Sequence, residues 1–105
     1  MEMTGFPFWK IYNDGSETPK IAGFLSEAQE FAQSHDIQSI KFYVSVMLTV
    51  PGKGGTEKEF AQRDLTQEEL LSANQNWLQE RIEEARRAAQ DYYFPSEEGR
   101  NHGKS

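Results

Sequence analysis

The chain of 105 residues contains no cysteine. Structural disulfides, thiolate metal sites and cysteine nucleophiles are therefore excluded. No apolar run approaches the roughly 20 residues that a membrane-spanning helix needs. Residues 1–8 also lack the basic segment followed by an apolar stretch that is typical of a secretory signal. We therefore expect a soluble protein that acts in the cytoplasm.

Positive charge is also scarce, because 11 Lys and Arg residues stand against 17 Asp and Glu, for a net charge of −6. Nonspecific affinity for nucleic acid depends on protein cations that replace condensed counterions, so this balance disfavours a nucleic-acid partner. Aromatic residues, at 12%, are too frequent for a wholly disordered chain. The length fits one domain, which we predict at 1–94, followed by a disordered polar tail at 95–105.

The clearest pattern is the alternation of apolar and mostly polar residues over 40–50. A period of two predicts a strand with one face in the core, in an antiparallel sheet. The aromatic segment 6–13 predicts a further strand, and 19–24 is either a short return strand or a loop. Segment 57–65 predicts only a weakly specified fourth strand, because Phe60 would face away from its apolar neighbours.

Two segments have helical spacing. Ser26 begins a capping-box spacing ahead of a predicted helix at 27–34, and Thr66 with Glu69 begins another ahead of a long helix at 70–92. The predicted fold is α+β: a small, mainly antiparallel sheet of three or four strands, packed on one face by two helices, with the C-terminal helix long. We expect that long helix to cover the apolar side of the strand at 40–50.

The sequence VPGKGGT at 50–56 is the nearest approach to a named motif. A phosphate-binding P-loop needs Gly-Lys-Ser/Thr at a fixed spacing and a helix directly after it, and both are missing here. We interpret 50–56 as a hairpin tip. In the alternative interpretation, Lys53 at this tip contacts a phosphate or a nucleic-acid backbone, with Lys41, Tyr43 and Lys58 nearby.

No catalytic or metal-binding constellation is recognisable. His35 has Asp36 beside it, but residues adjacent in sequence rarely reach the geometry of a catalytic triad, and a histidine near a helix C-terminus favours the exposed carbonyls there. Glu80, Glu83 and Glu84 lack the histidines of a transition-metal site. We therefore expect neither an enzyme nor a bound cofactor or metal.

The aromatic residues give the best indication of function. Because side chains alternate along a strand, Phe8 and Trp9 point to opposite faces, and we take Trp9 as the outward ring that anchors a partner. The predicted binding residues are Trp9, Lys41, Tyr43, Lys53 and Lys58.

The leading hypothesis is a small, non-enzymatic intracellular interaction module, either regulatory, accessory or inhibitory, that acts by protein–protein contact. A homodimer through the edge or polar face of the strand at 40–50 is a second expectation. The alternatives are nucleic-acid or phosphate binding through Lys53, and an acidic mimic of nucleic acid that blocks a basic partner.

Overall fold

A computed structural model describes residues 2–95 of the chain. Its elements, in chain order, are β1 (Glu2–Asn13), β2 (Lys20–Ala22), α1 (Leu25–Ser34), β3 (Ile37–Val50), β4 (Gly54–Leu65), α2 (Gln67–Ser72) and α3 (Gln75–Tyr93). The predicted tail, apart from Pro95, lies outside the described residues.

The four strands form one antiparallel sheet in the order β2-β1-β3-β4. The alternating segment becomes the central strand β3, which pairs along its length with both β1 and β4. The predicted α+β class with an antiparallel sheet is confirmed. The return segment is a strand, but β2 is only three residues long and leaves residues 2–8 of β1 without a partner on that side.

Segment 57–65 is a full strand, and a β-bulge removes the difficulty at Phe60. Val44 pairs with Ala61 and Ser45 pairs with Glu59, so Phe60 is one residue more than β3 requires. A bulge of this kind reorients the side chains around it. Phe60 and Ala61 can therefore both pack against the core on the same side of the sheet.

The two capping predictions have different outcomes. Thr66 caps α2 with the predicted box: its hydroxyl accepts from the Glu69 N–H at 3.0 Å, and its own N–H donates to the Glu69 carboxylate at 2.8 Å. The predicted box at Ser26 is wrong, because α1 already begins at Leu25 and no side chain caps it. Its expected partner Gln29 instead donates to the carbonyl oxygens of Leu70 and Ala73, at 3.0 and 2.9 Å.

The single helix expected at 70–92 is also wrong, because the chain leaves the helical conformation at Ala73 and Asn74. The Asn74 side chain accepts from the backbone N–H of Trp77 at 2.9 Å and so caps a new helix, α3. Asparagine competes with helix continuation by this kind of local bond. The hydrogen bond that the Gln29 side-chain amide donates to the Ala73 carbonyl stabilises this interruption between α2 and α3.

All three helices pack on one face of the sheet, where the core lies. The long helix α3 covers the apolar side of β3, as expected, with the Trp77 and Phe42 ring centroids 5.0 Å apart. Gly5 lets α3 approach β1 closely, since a Cβ there would lie 2.9 Å from Ile82 Cγ2. The fully buried large side chains are Trp9, Ile11, Ile40, Phe42, Val44, Val46 and Leu70.

Candidate interaction surface

Within residues 2–95, no helix covers the other face of the sheet, which we call the open face. Its members follow from strand alternation and from the pairing of each strand with its neighbour. They are Glu2, Thr4, Phe6, Phe8, Lys10 and Tyr12 of β1; Ile21 of β2; Ser39, Lys41, Tyr43, Ser45, Met47 and Thr49 of β3; and Gly55, Glu57, Glu59, Gln62 and Asp64 of β4.

Aromatic rings occupy the centre of the open face. Phe8 and Tyr43 stack with centroids 4.9 Å apart and planes inclined by 12°, and Lys10 Nζ lies 5.3 Å from the Tyr43 ring centroid. These neighbours leave Tyr43 only 8% exposed, although no helix lies above it. Phe6 and Ile21 remain 47% and 51% exposed. The centre is therefore an ordered aromatic platform with accessible apolar groups around it.

Charge is unevenly distributed between the two ends of the open face. At one end, the Lys41 ammonium contacts the Asp64 carboxylate at 3.0 Å, and Lys10 lies on the neighbouring strand. The hydrogen bond and charge of Asp64 raise the pKa of Lys41 above its usual value. At the other end, near the β3–β4 turn, Glu2 and Glu57 point to the same face, with Glu59 nearer the middle. One end is thus basic and the other acidic.

The structure corrects the expected orientation of Trp9. Its side chain is fully buried on the helix-covered face, against Phe42, and Phe8 is the ring that points outward. The alternation correctly predicted that Phe8 and Trp9 lie on opposite faces of the sheet. Because both side chains are apolar, the sequence did not indicate which of them faces the core. The Trp9 Nε1–H has no hydrogen-bond partner among residues 2–95.

The predicted lysines do not form one patch. Lys53 lies at the exposed tip of the β3–β4 hairpin, where Gly52 and Gly54 supply the positive φ values of the turn. From the rise along β3, this tip is about 30 Å from Lys41. Lys58 lies on the helix-covered side at the edge of β4, with Nζ 5.4 Å from the Tyr92 ring centroid. Only Lys41 and Tyr43 lie together on the open face.

Grooves along both long edges of the sheet carry aromatic residues. One, of about 730 Å³, runs along β4 beside Phe60 and Tyr92. The other, of about 470 Å³, lies next to the unpaired part of β1 and is lined by apolar residues that include Phe6, Phe24 and Leu78. The second groove extends the apolar surface of Phe6 around the edge of the sheet.

The residues considered for chemistry lie elsewhere. His35 stacks on Phe31 with centroids 3.9 Å apart, and its Nδ1 lies 3.1 Å from the Phe31 carbonyl oxygen, which confirms the expected position at a helix C-terminus. The glutamates of α3 pair with Arg81 and Arg86. Across 2–95, no group of three or more histidine or acidic side chains could hold a metal ion.

The chain matches no family model, no curated protein and no solved structure. In the described part of the chain, no helix has the length and apolar character to cross a membrane. The open face therefore has to be interpreted from its own residues.

Sequence reasoning missed Phe6, Phe8, Ile21 and Met47 as members of the candidate surface. A usable signal was present, because the alternation of β3 places Lys41, Tyr43 and Met47 on one side. Pairing that side with β1 would have identified Phe6 and Phe8, but it requires the register, which the sequence did not supply.

Proposed function

We propose that this protein is a small, non-enzymatic interaction module, regulatory, accessory or inhibitory, that binds a protein partner through the open face. The observation that carries the proposal is the aromatic centre of a sheet face that no helix covers, with Phe6 47% exposed. Exposed apolar patches with polar rims are typical of protein interaction sites. Intracellular action in the cytoplasm is part of the proposal, and fractionation of the native host tests it.

The aromatic residues suit this role because they are already ordered. The Phe8–Tyr43 stack and the Lys10 contact fix the rings in one arrangement. A partner would therefore bury apolar area without first restricting those side chains, whose ordering otherwise costs about 0.5–1.5 kcal/mol each. Tyrosine and phenylalanine are also among the residues enriched at the centres of interfaces.

The test is affinity capture from the native host with the wild-type chain and two variants. Phe6→Arg places a charge within the open face, whereas Tyr92→Arg makes a comparable change at a residue that is 60% exposed on the helix-covered side. We expect the wild type and Tyr92→Arg to capture the same partner and Phe6→Arg to lose it. Capture unaffected by Phe6→Arg, or lost equally with both variants, would contradict the proposal.

A further inference from the structure

The occupant of the open face can be inferred from its charges. The end with Lys10, Lys41 and Asp64 has a net positive charge, and the end with Glu2 and Glu57 has a net negative charge. Between them lie the Phe8–Tyr43 stack and the exposed Phe6. A surface with opposite charges at its two ends and apolar groups between them is complementary to a copy of itself turned end to end.

The size of the face also suits a second copy. The three long strands, about 4.8 Å apart and about 11 residues long, span about 14 by 36 Å, or about 500 Å² of flat area, to which the short strand β2 adds little. Side chains increase the accessible surface above this flat value. A standard stable interface buries about 800 Å² on each partner. With the relief of its side chains, the open face therefore reaches the lower part of the range of stable interfaces, about 600 Å² on each partner.

Edge-to-edge pairing is the other way in which sheets associate, and both edges oppose it. On the unpaired part of β1, Pro7 has no N–H to donate to an incoming strand. The edge strand β4 carries charged side chains that include Lys58, Arg63 and Asp64. Proline and charge on edge strands are the usual protections against strand addition. Strand addition at these edges is therefore opposed, which favours self-association through the face over edge-to-edge pairing.

Two symmetric ways of stacking the faces differ in which charges meet. With the two-fold axis parallel to the strands, β1 lies over β3 of the other copy, and Lys10 faces Lys41, which is repulsive. With the axis across the strands, the net positive end of each copy lies over the net negative end of the other. Glu57 of one copy then lies near both Lys41 and Asp64 of the other. The second arrangement also places Phe6 of one copy near Phe8 of the other.

We propose that two copies of this chain form a homodimer by packing their open faces together, with the two-fold axis across the strands, so that Lys41 of each copy lies near Glu57 of the other. This inference rests on the proposed function and names its partner. The chain mass is 12.1 kDa, so the dimer has twice that mass in solution.

The experiment measures mass by light scattering and the dissociation constant by sedimentation equilibrium. The wild type is expected to be dimeric. Phe6→Arg is expected to raise the dissociation constant by at least about tenfold, while Tyr92→Arg leaves it unchanged. Circular dichroism confirms that each variant is folded, and Phe6 is exposed enough for the substitution to leave the core intact.

A charge exchange tests the direction of the axis. Lys41→Glu alone should weaken the dimer several-fold, because it creates two further like-charge contacts. Glu57→Lys alone should weaken it less, because the new lysine lies near Asp64 of the other copy as well as near Lys41. An equimolar mixture of the two variants should restore dimerisation, since the residues at positions 41 and 57 that meet in the mixed dimer carry opposite charges at both contacts. Glu57 is exposed and Lys41 half-buried, and both side chains lie outside the core, so neither substitution depends on repacking the core.

The outcomes separate this inference from the proposed function. A wild type that stays monomeric at high concentration overturns the dimer, and the proposed function then stands only if Phe6→Arg still abolishes capture of a different protein. If Phe6→Arg leaves the dimer intact, the inference that the dimer forms through the open face is overturned. A dimer that Lys41→Glu strengthens overturns the crossed axis, because it indicates that Lys41 faces Lys10.

Discussion

Gly5 offers a direct test of how closely α3 packs on the sheet, through the substitution Gly5→Ala. The added Cβ would lie 2.9 Å from Ile82 Cγ2, whereas two such carbons prefer about 3.5–4.0 Å. The backbone itself accepts alanine, because Gly5 is not among the glycines with positive φ. The substitution therefore isolates the contact between β1 and α3.

Two opposing effects set the size of the change. Overpacking a well-packed contact costs about 1–3 kcal/mol. Replacing a strand glycine by alanine gains about 0.5–1 kcal/mol because the unfolded chain loses conformational freedom. The contact should dominate, and we expect the free energy of unfolding to fall by about 1 kcal/mol. For a domain of this size, that corresponds to a Tm lower by about 4–8 °C.

The assay is urea unfolding followed by tryptophan fluorescence, since Trp9 is buried and Trp77 packs on Phe42. Protein concentration is held constant because association would shift apparent stability. Gly23→Ala is the matched control, since its Cβ would meet nothing within 4 Å. It should be neutral or slightly stabilising.

A double-mutant cycle with Ile82→Ala completes the test. Removing Cγ2 of Ile82 removes the atom that the new Cβ would meet, so Gly5→Ala should cost less in that background, with a coupling of about 1 kcal/mol. A Gly5→Ala variant as stable as the wild type, or strict additivity in the cycle, would refute the inferred close approach.

Three further predictions concern other contacts. Thr66→Ala removes the cap of α2 and should lower the free energy of unfolding by about 1 kcal/mol in urea titrations, and no change would mean that the capping box with Glu69 is not formed in solution. Asp64→Asn should lower the pKa of Lys41 in an NMR titration, and an unchanged pKa would contradict the contact. In the wild type, the stabilisation from this pair is present at neutral pH and is lost as the pH rises through the raised pKa. Lys53→Ala should leave dimerisation unchanged, and salt-sensitive nucleic-acid binding that this variant abolishes would favour the alternative function.

The fold was largely accessible from the sequence because β3 alternates without interruption, so its period determines which side chains enter the core. The errors arose where a tertiary contact or a local bond decided the outcome. Gln29 has the right spacing to serve a capping box, yet its amide binds the α2–α3 junction 41 and 44 residues away. Asn74 lies within a helical pattern, and no periodicity indicates that its side chain will cap a new helix.

The candidate site was less accessible for a different reason. Its residues come from neighbouring strands that meet only through the register, and adjacent aromatic residues such as Phe8 and Trp9 can exchange faces without changing the apolar pattern. Trp9 packs against Phe42, whose ring also packs against Trp77 of α3, and this packing decides its side.

The bulge at Phe60 gives β4 one residue more than its pairing with β3 needs. Deletion of Phe60 would leave Ala61 opposite Val44 and Glu59 opposite Ser45, so both halves of the strand would keep their register and their faces. Deletion of Ser45 in β3 would not preserve the register, because every residue on one side of the deletion would turn to the opposite face. Loss of one residue at the bulge would therefore preserve the register of β4 while removing the core contacts of Phe60, whereas loss of one residue within β3 would reverse the faces of half the strand.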